Sequence, residues 1–122
     1  MPKIWIFIGA LFGFLSVALG AFGAHGLSKQ LDDRSLAIFQ TGVQYQMFHA
    51  LALVAIGVWS QNQPSLSVAL PGWAFTVGTL LFSGSLYVLA LTDLKFFGLV
   101  TPIGGILFLA GWAALAVTAL RS

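Results

Sequence analysis

The stretch Ile4-Trp5-Ile6-Phe7-Ile8-Gly9-Ala10-Leu11-Phe12-Gly13-Phe14-Leu15-Ser16-Val17-Ala18-Leu19-Gly20-Ala21-Phe22 contains no Asp, Glu, Lys or Arg. A bilayer core of about 30 Å is crossed by ~20 apolar residues in a helix. The stretch has that length. It follows Met1-Pro2-Lys3, so it also has to be weighed as a secretory leader cut after Ala21 or Ala24. Leader cores run to about 7–15 residues, and this one is longer. It is read as a retained membrane helix. Three further stretches share its character: Val43–Trp59, Gly72–Leu91 and Leu99–Leu120. Backbone groups cannot stay unpaired in hydrocarbon, so each is expected to be helical.

The composition agrees. The chain has 122 residues, of which 59% are hydrophobic and 7% charged. Its mean hydropathy is +0.99. Soluble domains carry about 25% charged residues. Five Lys or Arg and three Asp or Glu cannot cover a soluble surface of this size. An ordinary cytosolic enzyme, a disordered regulator and a secreted disulfide scaffold are excluded. There is no Cys, so thiolate chemistry and Cys-based metal sites are excluded too. The basic residues are scattered and form no nucleic-acid patch. The expected fold is all-α: a single-domain, integral membrane four-helix bundle covering residues 1–122, with a short interfacial helix in its first loop.

The connections carry nearly all the charge. Loop 1, residues 23–42, holds Lys29, Asp32, Asp33 and Arg34. Its second half has helical spacing in Leu36, Phe39 and Val43, with Asp33 as the expected cap. Loop 2, residues 60–71, is uncharged and has two prolines. Loop 3, residues 92–98, carries Asp93 and Lys95. Lys29, Arg34 and Lys95 therefore lie on one side of the membrane, with Lys3 and Arg121 on the other. The excess of one basic residue places loops 1 and 3 in the cytoplasm and both termini outside. Trp5, Trp59 and Trp73 gather at the face of the termini and loop 2, with Trp112 in the nearer half of span 4. An interfacial Trp belt accounts for them.

Lipid is as apolar as Leu, so small residues that permit close approach are expected to join the helices. Span 1 supplies Gly9, Gly13, Ser16 and Gly20. Span 3 supplies Ala74, Gly78, Ser85 and the adjacent Gly84. Span 4 supplies Gly104, Gly105, Ala110 and Gly111. Contact within one protomer is favoured over a homodimer face.

Chemistry-bearing residues gather in one leaflet. His25 closes span 1, and His49 lies inside span 2 near the same side. Tyr45 and Gln46 share a helix face with His49. Tyr87 of span 3 and Thr101 of span 4 reach a similar depth. Ionisable residues inside a membrane are functional candidates by default. His25, Tyr45, Gln46, His49, Tyr87 and Thr101 therefore form the candidate polar site. The plainer reading has His49 donating to a facing carbonyl or hydroxyl, and His25 stabilising the end of helix 1 through its dipole. Thr76, Thr79, Ser83 and Tyr87 form a polar stripe on span 3. Such hydroxyls usually bond back to the preceding turn. No nucleophile elbow, phosphate loop, dinucleotide fingerprint or His-Glu-x-x-His motif is present. No catalytic residue, metal ligand set or cofactor is assigned.

Four motifs together resemble a known family. They are Gly20-Ala21-Phe22-Gly23-Ala24-His25-Gly26-Leu27, Tyr45-Gln46-Met47-Phe48-His49-Ala50-Leu51, Phe82-Ser83-Gly84-Ser85-Leu86-Tyr87, and Thr101-Pro102-Ile103-Gly104-Gly105 with Gly111-Trp112. Their order and content are similar to those of the small bacterial inner-membrane proteins called domain of unknown function 423, with transmembrane protein 256 as the eukaryotic relative. One departure is Gly42, where Ala is the more usual residue. The resemblance implies a four-helix protein of the bacterial inner membrane and no particular activity.

Three functions compete. The first is a non-enzymatic accessory or interaction protein, with the bilayer and either a second copy or another membrane protein as partners. The second is a small oligomeric transporter or channel that uses His49 as its protonatable group, since span 1 has no carboxylate. The third is a metal or small-molecule site built on His25 and His49. The first is preferred.

Overall fold

The computed structural model describes residues 2–122; Met1 lies outside them. Four long helices follow one another: α1 (Pro2–His25), α2 (Asp33–Asn62), α3 (Ala69–Thr92) and α4 (Phe97–Arg121). All four are long and apolar enough to cross a membrane. A single 3-10 turn at Leu27–Lys29 lies between α1 and α2. The principal contacts are α1 on α2, α2 on α3 and α3 on α4. α2 and α3 occupy the middle, with 44% and 50% of their most apolar windows buried, against 22% for α1 and 17% for α4. The outer helices therefore present most of their apolar surface to lipid.

The helical second half of loop 1 is present and is continuous with span 2. At 30 residues α2 is about 45 Å long, so it overshoots a ~30 Å hydrocarbon core and its first turns stand in the interface. The cap is Asp32, not the expected Asp33. Asp32 is extended, at φ −69° and ψ 172°, and its carboxylate accepts from the Ser35 backbone N–H at 2.8 Å. Asp33 is already the first helical residue. The bond from the Ser35 amide holds the Asp32 carboxyl below the usual carboxylate range. α3 ends differently. Asp93 adopts the left-handed conformation, φ 57°, and its N–H donates to the Leu89 carbonyl at 2.8 Å.

Close approach is made by glycine. A methyl group on Gly9 would stand 2.7 Å from the Ala50 carbonyl oxygen on α2. On Gly20 it would meet Val43 at an ordinary 3.4 Å. Between α3 and α4, Gly78 receives the Phe108 ring and Gly111 receives the Phe75 ring. The backbone of Phe82 lies directly over Gly104. Gly13 and Gly105 are looser, with 3.9 Å of room. Gly42 does not break the helix. A methyl group there would stand 2.7 Å from the Tyr87 ring, which gives this departure from Ala a steric cause.

These contacts predict unequal responses to substitution. Gly104→Val must displace backbone rather than a flexible side chain and should destabilise the bundle by about 1–3 kcal/mol. Gly84 has nothing within 4 Å, so Gly84→Ala should unfold no earlier than the parent. Unfolding in mixed detergent micelles, followed by helix content, measures both.

Candidate functional site

The polar residues of the middle helices form bonds between helices. Gln46 is buried, with 4% of its surface exposed. Its side-chain nitrogen donates to the Phe12 carbonyl of α1 at 2.8 Å. Its side-chain oxygen accepts from the Tyr87 hydroxyl of α3 at 2.6 Å. One amide thus bridges three helices. The Ser83 hydroxyl adds a second tie, donating to the Gly42 carbonyl at 2.7 Å. The Tyr87 ring rests against Phe39 at 5.1 Å between centroids.

His49 is buried like Gln46 and lies one helical turn beyond the exposed Tyr45. Its Nε2 is 3.0 Å from the Trp112 indole nitrogen of α4. An indole N–H can only donate, so Nε2 accepts. Its Nδ1 is 2.7 Å from the Tyr45 carbonyl. A carbonyl can only accept, so Nδ1 carries the hydrogen. The bonds therefore define a neutral imidazole of one tautomer. The ring stacks on Phe108 at 3.6 Å and 8° and meets the edge of Phe75 at 5.3 Å. Both nitrogens are engaged, and the Phe108 ring covers one face.

The six candidate residues do not form one pocket. Gln46 with Tyr87, and His49 with Tyr45, make adjacent clusters along α2. Thr101 lies on the other side of α3, where its hydroxyl pairs with that of Ser85 across the α3/α4 contact. His25 is exposed at the end of α1 and takes no part in these bonds. The two imidazoles are not brought together, because Ala50, next to His49, packs on Gly9 and Gly13 in the middle of α1, roughly 18 Å along the helix from His25. Of the span 3 stripe, Thr76 bonds back to the Gly72 carbonyl at 2.7 Å, as expected. Ser83 and Tyr87 instead cross to α2. Ser16 and Thr79 bury hydroxyls that have no partner among the described residues.

Sequence reasoning missed Trp112, assigned above to an interfacial belt. A signal was available: an indole N–H in the apolar middle of a helix has to find an acceptor. Trp5 differs from its neighbours too. It is buried, its ring fills the space over Gly72, and it meets Trp73 edge-on at 5.2 Å. The clefts at the two ends, about 610 and 570 Å³, are lined by loop residues rather than by Gln46, His49 or Tyr87. No three His, Asp or Glu side chains gather around one point among the described residues.

Comparison with known proteins agrees with this architecture. The family model described as "Protein of unknown function (DUF423)" matches residues 19–105. The UPF0382 membrane protein of Staphylococcus haemolyticus is 46% identical over 119 residues, covering 98% of this chain and 97% of the relative. The UPF0382 membrane protein YwdK of Bacillus subtilis is 42% identical over 98% of both chains. The UPF0382 inner membrane protein YgdD of Escherichia coli is 45% identical over 98% of this chain and 91% of its own length. No solved structure matches the chain. The family match, the full-length relatives and the four apolar helices lead to one conclusion: this chain is a membrane protein belonging to the DUF423 family.

Proposed function

We propose that this chain is a non-enzymatic interaction protein of the bacterial inner membrane whose buried polar residues hold the bundle in register. The observation that carries the reading is the engagement of His49 at both ring nitrogens. A metal ligand needs a free lone pair, and the one on Nε2 already faces the Trp112 N–H. A proton carrier has to accept a proton at that same nitrogen, which would set two N–H groups against each other. Gln46 is likewise satisfied at both ends of its amide. The outer surface is the other support. α1 and α4 leave large side chains such as Phe14, Ile106 and Leu109 fully accessible, at 70%, 65% and 71% exposure. The bilayer covers that surface, and a second copy or another membrane protein is the partner proposed to share it.

The orientation follows from charge. Lys29, Arg34 and Lys95 against Lys3 and Arg121 favour a topology with loops 1 and 3 in the cytoplasm and the termini outside. The chain has no Cys, so a single cysteine at Ser122 reports the side directly. An impermeant thiol reagent should label it in intact spheroplasts; labelling only after lysis reverses the orientation.

Function is tested in the membrane. A photoreactive residue at Leu109 should give a discrete protein adduct in living cells, whereas adducts with lipid alone at both Leu109 and Phe14 contradict a protein partner. Proteoliposomes address the alternative. Proton flux that requires His49, lost in His49→Phe while the protein stays folded, would replace this reading with a transporter.

A further inference from the structure

The cleft at the charged end, about 570 Å³, is lined by Asp32, Arg34, Asp93 and Lys95 together with the apolar Leu31, Ile38 and Leu89. Two of these charges oppose the helix ends that carry them. The N-terminus of a helix favours anions and the C-terminus favours cations. Arg34 nevertheless sits in the first turn of α2, and Asp93 at the C-cap of α3. Asp93 is also in the left-handed region, where Gly or Asn is the customary residue. Neither charge is there for the stability of its own helix. Both line the same cleft.

The lining has two positive and two negative groups, so its formal charge cancels. An anion would satisfy Arg34 and Lys95 and be repelled by both carboxylates. A cation would do the reverse. A group that carries both signs satisfies all four. The Asp32 carboxylate accepts from the Ser35 N–H through Oδ1, and both residues line the cleft. On the apolar wall, Ile38 and Leu89 belong to helices that continue into the bilayer, and Leu31 precedes α2 in the loop. We infer that this cleft holds the phosphoethanolamine headgroup of a membrane phospholipid, its phosphate toward Arg34 and Lys95 and its ammonium toward Asp32 and Asp93. A primary ammonium gives the carboxylates hydrogen-bond donors that a choline headgroup lacks. The inference does not depend on the proposed protein partner.

Native mass spectrometry of the full chain, extracted in mild detergent and titrated with lipid, tests it. Phosphatidylethanolamine should be retained about tenfold more strongly than phosphatidylglycerol or phosphatidylcholine. Arg34→Gln and Asp93→Asn should each reduce that retention about fivefold. Lys3→Gln, at the opposite end, should leave it unchanged. Asn accepts the left-handed conformation, and Gln removes a cation from a helix N-terminus, so neither variant should unfold the bundle. Equal retention of the three lipids overturns the site, as does retention of phosphatidylethanolamine unaffected by both variants. Displacement by free phosphoethanolamine at the same concentration as the diacyl lipid would overturn the bilayer source and leave a soluble zwitterion as the ligand.

Discussion

The side-chain amide of Gln46 joins three of the four helices through one donor bond to the Phe12 carbonyl and one acceptor bond from Tyr87. In a soluble bundle such a residue would be one contact among many. In a membrane the balance differs, because lipid solvates Leu and Phe as well as another helix does. Hydrogen bonds between membrane helices average about 0.6 kcal/mol each, so their net gain is small. Their penalty when misplaced is larger, since an unmatched amide in hydrocarbon costs several kcal/mol. Gln46 therefore selects a register more than it adds stability. Sliding α2 by one residue against α1 would break the bond to Phe12, and sliding it against α3 would break the bond from Tyr87.

His49 extends the same logic to the fourth helix. Its tautomer is set by two neighbours that can each play one role, the Trp112 N–H and the Tyr45 carbonyl. Glycine makes this geometry reachable. Gly78 and Gly111 admit the Phe108 and Phe75 rings that enclose the imidazole. Gly42 admits the ring of Tyr87, and its carbonyl receives Ser83. Polar bonds set which residues face each other, and the absence of side-chain bulk sets how near they come.

The four helices were legible because bilayer crossing requires long uncharged stretches, and the charges fall outside them. That Gln46 and Tyr87 reach a common depth was also legible, since alternating helices reverse direction. Their pairing was not. Periodicity reveals the face of a helix but not its rotation against a neighbour, so Gln46 to Tyr87 and His49 to Trp112 could not be matched in advance. His25 and His49 failed to converge for another reason: α2 already begins at Asp33, which carries His49 several turns away from the end of α1 that His25 closes. The cap moved from Asp33 to Asp32 because the first helical residue depends on where the chain leaves the Leu27–Lys29 turn. The charged cleft needed the ends of α2 and α3 side by side before its opposing signs had a common object.

The molecule thus divides its labour by depth. Its membrane interior is tied by polar bonds between helices, and most of its charges cluster at one end. His49 is the most direct reporter of that interior. Solid-state NMR of the full chain in lipid at neutral pH, with labelled His and Trp, reads the ring nitrogens individually. A neutral imidazole protonated at Nδ1, with Nε2 coupled to the Trp112 indole N–H, is the predicted result. An imidazolium, or a neutral ring protonated at Nε2, would contradict it.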